Sequence, residues 1–213
     1  MARFESVPKA VLQSVAGQIG QKLVNLNLLE PTPPGAEPVA TAETAESFAV
    51  WMMGKDALAD PSIDLRRLAK PTGTWHHQIR KVTQPPPGSS APANVSSPAF
   101  ARSTPFGPEA VDWSVIGVFA NEFAETIDRG IRWLEGNDHL FEGNPIVRLL
   151  VLPAFYTHAF WLINEGRESQ VLPIELPSSF RILKPFQLNG SRCFLEALIN
   201  EPLVEGIGER LAR

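Results

Sequence analysis

The stretch from Leu149 to Ile163 constrains the fold more than any other part of this chain, because almost every position in it is apolar. It is too short to cross a bilayer as a helix, which takes about 20 apolar residues. Pro153, Thr157 and His158 also interrupt it. A segment that is apolar on every face belongs in a protein core. We therefore expect it to be the buried centre of a globular fold.

Periodicity alone does not decide between helix and strand for this segment, but its composition does. It is rich in Val, Phe, Tyr, Trp and Ile, which favour strands. A proline such as Pro153 fits a strand start or a bulge. We predict a small antiparallel hairpin or three-stranded sheet over about 147–183, with a turn at 164–167, a returning edge strand at 170–176 that contains Pro173, and a third strand at 180–183.

Most of the remaining chain predicts helices, because apolar residues recur at helical spacing between capping residues. The predicted fold class is α+β, predominantly helical, with about five to six helices packed around the small sheet. The predicted helices are 7–28, 41–53, 61–69, 108–135, 191–199 and 202–211.

A segment rich in proline and serine, 84–108, predicts a linker without regular structure. Seven of its 25 residues are proline, and proline cannot donate to a helix or a sheet ladder. The predicted organisation is a helical N-terminal region at 1–83, the linker at 84–108, and an α+β domain at 109–213.

Charge is unevenly placed in this chain of net charge −4. No acidic residue lies between Asp64 and Glu109, whereas 109–142 is strongly acidic. The favoured interpretation is internal neutralisation of the basic stretch by the acidic one. The alternative is a surface for an anionic partner. A nucleic-acid partner is disfavoured, because the basic residues are few and widely spaced and the protein as a whole is acidic. The residues of that alternative are Arg66, Arg67, Arg80 and Lys81, with Trp75 available for stacking.

His158 is the residue that most invites a chemical interpretation, because it lies inside the apolar run. If the run is a strand, Tyr156 and His158 project from the same face, and a histidine there is a candidate general base. A hydrogen-bonded core histidine is the commoner outcome. The adjacent His76 and His77 point apart on any regular element, so we predict no metal site. No nucleotide-binding or hydrolase motif is present, so no cofactor is predicted.

The leading hypothesis is a non-catalytic interaction, scaffold or adaptor protein, whose partner is another protein or a second copy of the chain. It is motivated by the first predicted helix, whose apolar stripe suits a partner's groove. The alternatives are that the stripe packs on the chain's own core, and that the protein is an enzyme with a pocket beside 149–163. The stripe comprises Val11, Val15, Ile19, Leu23 and Leu26.

Cys193 is the single cysteine, so the chain has no intramolecular disulfide. No signal-peptide pattern or membrane span is recognisable at its start or in its interior. These features predict a soluble, cytoplasmic protein, since reducing compartments hold proteins without disulfide frameworks.

Overall fold

The computed structural model describes residues 2–5, 7–35, 39–59, 64–85, 89–106, 112–141 and 143–202. The chain forms two compact units that alternate along the sequence. Unit 1 comprises Met1–Glu5, Ala49–Thr72 and Arg129–Arg213, and unit 2 comprises Ser6–Phe48 and Gly73–Asp128.

The prediction of a predominantly helical fold is wrong, because the structure is a large mixed β-sheet protein with 38% strand and 30% helix. The described strands are β1 Arg3–Phe4, β2 Ala40–Met52, β3 Lys70–Thr83, β4 Asn94–Phe106, β5 Asp112–Phe119, β6 Ile146–Leu152, β7 Thr157–Ile163, β8 Gln170–Glu175 and β9 Asn189–Gly190. The described α-helices are α1 Lys9–Asn25, α2 Leu65–Leu68, α3 Glu122–Gly136 and α4 Ser191–Ile199, and short 3-10 turns lie at Lys55–Ala59, Asp138–Leu140 and Pro153–Phe155.

Two of the predicted helices are wrong for a shared reason. The predicted helix 41–53 is strand β2, and the first half of the predicted helix 108–135 contains strand β5, with α3 beginning only at Glu122. Both stretches carry Val, Phe and Trp at positions that suit a helical stripe and a half-buried strand alike. Pairing with neighbouring strands decides the outcome, since strand preference depends on context.

The predicted linker 84–108 is also wrong over much of its length, because β4 occupies 94–106. Pro98 falls where the β3–β4 ladder is irregular, whereas Pro105 pairs with Trp113 in a regular part of the β4–β5 ladder. The register of β3 and β4 shifts between Ile79 and Lys81, beside Pro98. A proline is tolerated at such a bulge because the ladder there needs no N–H donor.

Several predicted elements are confirmed. The segment 149–163 forms most of the β6–β7 hairpin, with Leu149 opposite Phe160, and β8 is the returning strand. Helices α1 and α4 lie where the spacing predicts them, and α2 falls inside the predicted helix 61–69. The expected strand at 180–183 is irregular. The predicted helix 202–211 lies, apart from Pro202, outside the described residues.

Unit 2 is built on strands in the order β5-β4-β3-β2. Helix α1 packs on one face, where its stripe meets Ile79, Ala99, Ala101 and Val115. It also covers the outer edge of β5: Ser14 and Gln18 donate side-chain hydrogen bonds to the Trp113 carbonyl, and Gln18 accepts one from the Val115 N–H. The helix thus occupies backbone groups that would otherwise be open to another strand.

Unit 1 is centred on β6, which pairs antiparallel with β7 and parallel with β1 and the last residues of β2. Strands β8 and β9 continue the order beyond β7. One face carries a core that includes Trp161 and Phe194. Phe160 and Ile174 pack closely against Gly130 of α3. A Cβ added at Gly130 would lie 2.7 Å from the Phe160 ring. None of the described helices is long and apolar enough to cross a membrane.

Candidate functional site

The apolar stripe of α1 is packed inside unit 2. Val11, Val15, Ile19 and Leu23 are all buried, and Leu26 alone of the set is exposed. In this structure the stripe is core packing, as the alternative interpretation expected. A role for it in binding a partner stays a prediction.

The predicted anionic-partner residues are not brought together by either unit. Arg66 and Arg67 belong to unit 1, whereas Trp75, Arg80 and Lys81 belong to unit 2. Two of the cations have partners, but these are not acids of 109–142. Arg80 pairs with Glu46 at 2.7 Å. The Arg66 guanidinium donates to two backbone carbonyls, those of Asn164 and Arg167, at 2.6 Å each. Trp75 is partly buried, Arg67 is exposed, and Lys81 lines a cavity of about 200 Å³.

The two adjacent histidines lie on β3 and are both buried. His77 lies between two hydroxyls, with Nδ1 2.9 Å from Ser47 Oγ and Nε2 2.7 Å from Ser103 Oγ. Burial lowers the pKa of His77 to about 4, so its ring is neutral at pH 7. His76 instead packs among aromatic rings. Among the described residues no three His, Cys, Asp or Glu side chains are grouped to hold a metal ion.

His158 forms a close pair with an acid that the sequence did not single out. Its Nδ1 lies 2.6 Å from Glu175 Oε2, and the two side chains are 24% and 45% exposed. A carboxylate at Nδ1 fixes the orientation and tautomer of an imidazole. The prediction that Tyr156 and His158 project from the same strand face is wrong, because Tyr156 lies in the turn after Pro153–Phe155 and not in β7.

The pair belongs to a row of side chains that runs across four strands. The Cα register joins Met52 to Val151, Val151 to His158, and His158 to Glu175. Cross-strand neighbours in one row project from the same face of a sheet. We call these four residues the end row.

The end row is the place where this face of the sheet passes from core to surface. The next row toward the core on this face comprises Val50, Leu149, Phe160 and Leu172 and is almost completely buried. It lies two residues away on β2, β6 and β7 and three on β8, because the β7–β8 register shifts between His158 and Ala159. In the end row, Met52 is 46% exposed, and Val151 and His158 are partly exposed. The face therefore ends in a mixed apolar and titratable surface.

Tyr156 lies at the same turn and adds an aromatic side chain that is 37% exposed. Its backbone is left-handed, with φ 46°. A bulky residue rarely adopts this conformation, and such outliers gather at functional positions. The candidate site is thus the end row with Tyr156. Of these five residues, sequence reasoning identified His158 and Tyr156 but missed Met52, Val151 and Glu175.

Comparison with known proteins identified no relative of this chain. A scan against protein-family models, a search of curated proteins and a search of solved structures each found no significant match.

Proposed function

We propose that the protein is a non-catalytic interaction protein and that the end row with Tyr156 is its contact surface. The observation that carries the proposal is the abrupt exposure of Met52 beside a row that is almost completely buried. Met adapts to varied partners and Tyr is enriched at interfaces. The left-handed Tyr156 backbone supports the proposal, since the fold holds a strained residue at the surface.

The partner we propose is a segment of another protein that carries an apolar side chain next to a lysine or arginine. Met52, Val151 and Tyr156 supply apolar contact area. Glu175 supplies the charge: its Oε2 is engaged with His158, and its Oε1 has no hydrogen bond among the described residues. A cation on the partner would pair with that oxygen at the rim of the contact, where charges set specificity.

A random peptide library displayed on phage tests the proposal, because the selection itself identifies the binding segment. Selection on the wild-type chain should give a consensus with an apolar residue adjacent to Lys or Arg. Binding should be lost in Met52→Glu and kept in Leu140→Glu, a matched change at an apolar residue of similar exposure outside the row. Thermal melting confirms that each variant is folded. Absence of a consensus, or a consensus that binds Met52→Glu equally well, overturns the proposal.

A second candidate function is an enzyme that uses His158 as a general base, and the 2.6 Å contact with Glu175 favours it. A carboxylate-oriented imidazole is a common proton acceptor in catalysis. A panel of ester and amide substrates tests it, with His158→Gln compared with His139→Gln, an exposed histidine. If the wild type turns over a substrate and only His158→Gln loses this activity, the result supports an enzymatic function. Equal turnover by all three proteins contradicts it.

As part of this proposal we place the protein in the cytoplasm. Cys193 is exposed and unpaired as a thiol, a state that reducing compartments maintain. Alkylation of thiols in intact cells before lysis should label Cys193, and recovery of the chain as a mixed disulfide would contradict this location.

A further inference from the structure

A stack of three rings crosses unit 2 from its core to its surface. His76 stacks on Phe100 with centroids 4.5 Å apart and planes 19° apart, and Phe119 stacks on Phe100 at 5.1 Å and 23°. Because β4 lies between β3 and β5, the two rings approach Phe100 from opposite sides. His76 and Phe100 are buried, whereas Phe119 is 42% exposed. The stack therefore ends on an aromatic ring at the surface.

Gly117 allows the last ring to lie where it does. A Cβ at Gly117 would come within 2.5 Å of Phe119 Cζ, so only glycine leaves room for the ring over the strand. On the inner side, the Phe123 ring meets Phe100 edge to face at 5.5 Å. The positions of Phe100 and Phe119 are thus held by packing. An aromatic group added to the exposed side of Phe119 would meet a preformed platform.

Arg102 lies beside the same stack. Its Cζ is 5.9 Å from the Phe100 centroid, and Arg102 is the cross-strand neighbour of Gly117. Its Nε is shielded from solvent and has no hydrogen-bond acceptor among the described residues. Burial lowers the pKa of the Arg102 guanidinium, because desolvation disfavours its charged form. A partly buried guanidinium without a carboxylate is suited to receive an anion.

We infer that Phe119 and Arg102 form a binding site for a small planar aromatic acid, a ring that extends the stack and carries one carboxylate or phosphate for the guanidinium. One guanidinium makes one anionic contact, and the net charge of −4 opposes a polyanion. These charges favour a small molecule over a nucleic-acid strand. The site lies within unit 2 and does not depend on the contact surface proposed for unit 1.

Isothermal titration with 1-naphthyl phosphate and 2-naphthoate tests the site. We expect saturable binding of at least one probe at millimolar concentration or below. Binding should weaken about tenfold or more when either half is supplied alone, as 1-naphthol or as inorganic phosphate. Binding by neither probe up to about 10 mM overturns the inference, and so does equal binding of the isolated halves.

Substitutions assign the two halves of the site. Phe119→Ala and Arg102→Gln should each weaken the better probe about tenfold, and Phe119→Leu keeps apolar bulk while it removes the ring. The matched controls are Val95→Ala, at an exposed apolar residue of β4, and Arg192→Gln, whose cation is paired with Glu196. Both controls should bind as the wild type does. Unchanged affinity in Phe119→Leu and Arg102→Gln, with both folded, would overturn the assignment.

Discussion

His77 Nε2 and Ser103 Oγ lie 2.7 Å apart in the buried interior of unit 2. Burial lowers the pKa of His77 to about 4, from 6.5 for an exposed histidine. Between these pH values the unfolded chain binds a proton that the folded chain does not bind. The contribution of the neutral His77 to the free energy of unfolding is therefore fully present above pH 6.5 and is lost as the pH falls through about 4.

The first prediction concerns this pH dependence. His77 alone should lower the free energy of unfolding by about 3 kcal/mol between pH 7 and pH 4. Urea unfolding of the wild type and His77→Asn at both pH values measures it. The variant loses stability at pH 7, but its difference between the two pH values should be smaller. A pH dependence identical to that of the wild type would refute the role assigned to His77, and His139→Asn is the surface control.

Glu201 leads to a second prediction of acid sensitivity. Burial acts to raise the pKa of its carboxyl, but backbone N–H groups and the charge of Lys184 outweigh burial, and the net pKa is lowered. The donors are Arg181, Ile182 and Leu183, at 2.6–2.8 Å. A lowered carboxyl pKa stabilises the fold above the unfolded pKa, and this contribution is lost as the pH falls through the folded one.

Glu201→Gln should therefore destabilise unit 1 by about 1–3 kcal/mol at pH 7, because buried N–H groups lose a charged acceptor. The deficit should shrink at low pH, where the wild-type carboxyl is protonated as well. Chemical unfolding over a pH series measures both effects. Glu196→Gln, which removes only an exposed pair with Arg192, should be nearly neutral; an equal loss in both variants would contradict the account.

Gly130 and Gly17 should respond oppositely to the same substitution. A Cβ at Gly130 would lie 2.7 Å from the Phe160 ring and 3.0 Å from Ile174 Cγ2. Overpacking should make Gly130→Ala destabilising by about 1–3 kcal/mol. Gly17 of α1 has open space around its Cβ position, so Gly17→Ala should stabilise by about 0.5–1 kcal/mol. Thermal unfolding compares them, and stabilisation by Gly130→Ala would show that α3 does not pack as closely as described.

Tyr156 provides a prediction about backbone strain. Its left-handed φ of 46° costs about 1–2 kcal/mol for an ordinary residue, and Asn tolerates it better. Tyr156→Asn should leave thermal stability unchanged or raised, whereas Tyr156→Val should lower it. Both variants should lose affinity for peptides selected on the wild type. If Tyr156→Val is the more stable of the two, the strain argument fails.

The sequence predicted the parts of the fold that local composition decides and missed those that strand pairing decides. The hairpin at 149–163 is recognisable from its β-branched and aromatic residues. Strand β2 is not, because its apolar spacing fits a helix until β6 pairs with it. His158 drew attention as a polar residue in an apolar run. Its partner Glu175 depends on the β7–β8 register, which shifts between His158 and Ala159, and a single sequence carries no signal for such a shift.

The most direct test of the contact surface is a charge-reversal cycle at Glu175. A peptide with the selected basic consensus and its counterpart with Glu in place of the basic residue are titrated against the wild type and Glu175→Lys at low ionic strength. The account predicts that the wild type prefers the basic peptide by about twofold to fivefold, as exposed ion pairs allow. Glu175→Lys should reverse the preference. The same ratio of affinities in both proteins would contradict the proposed role of the end row.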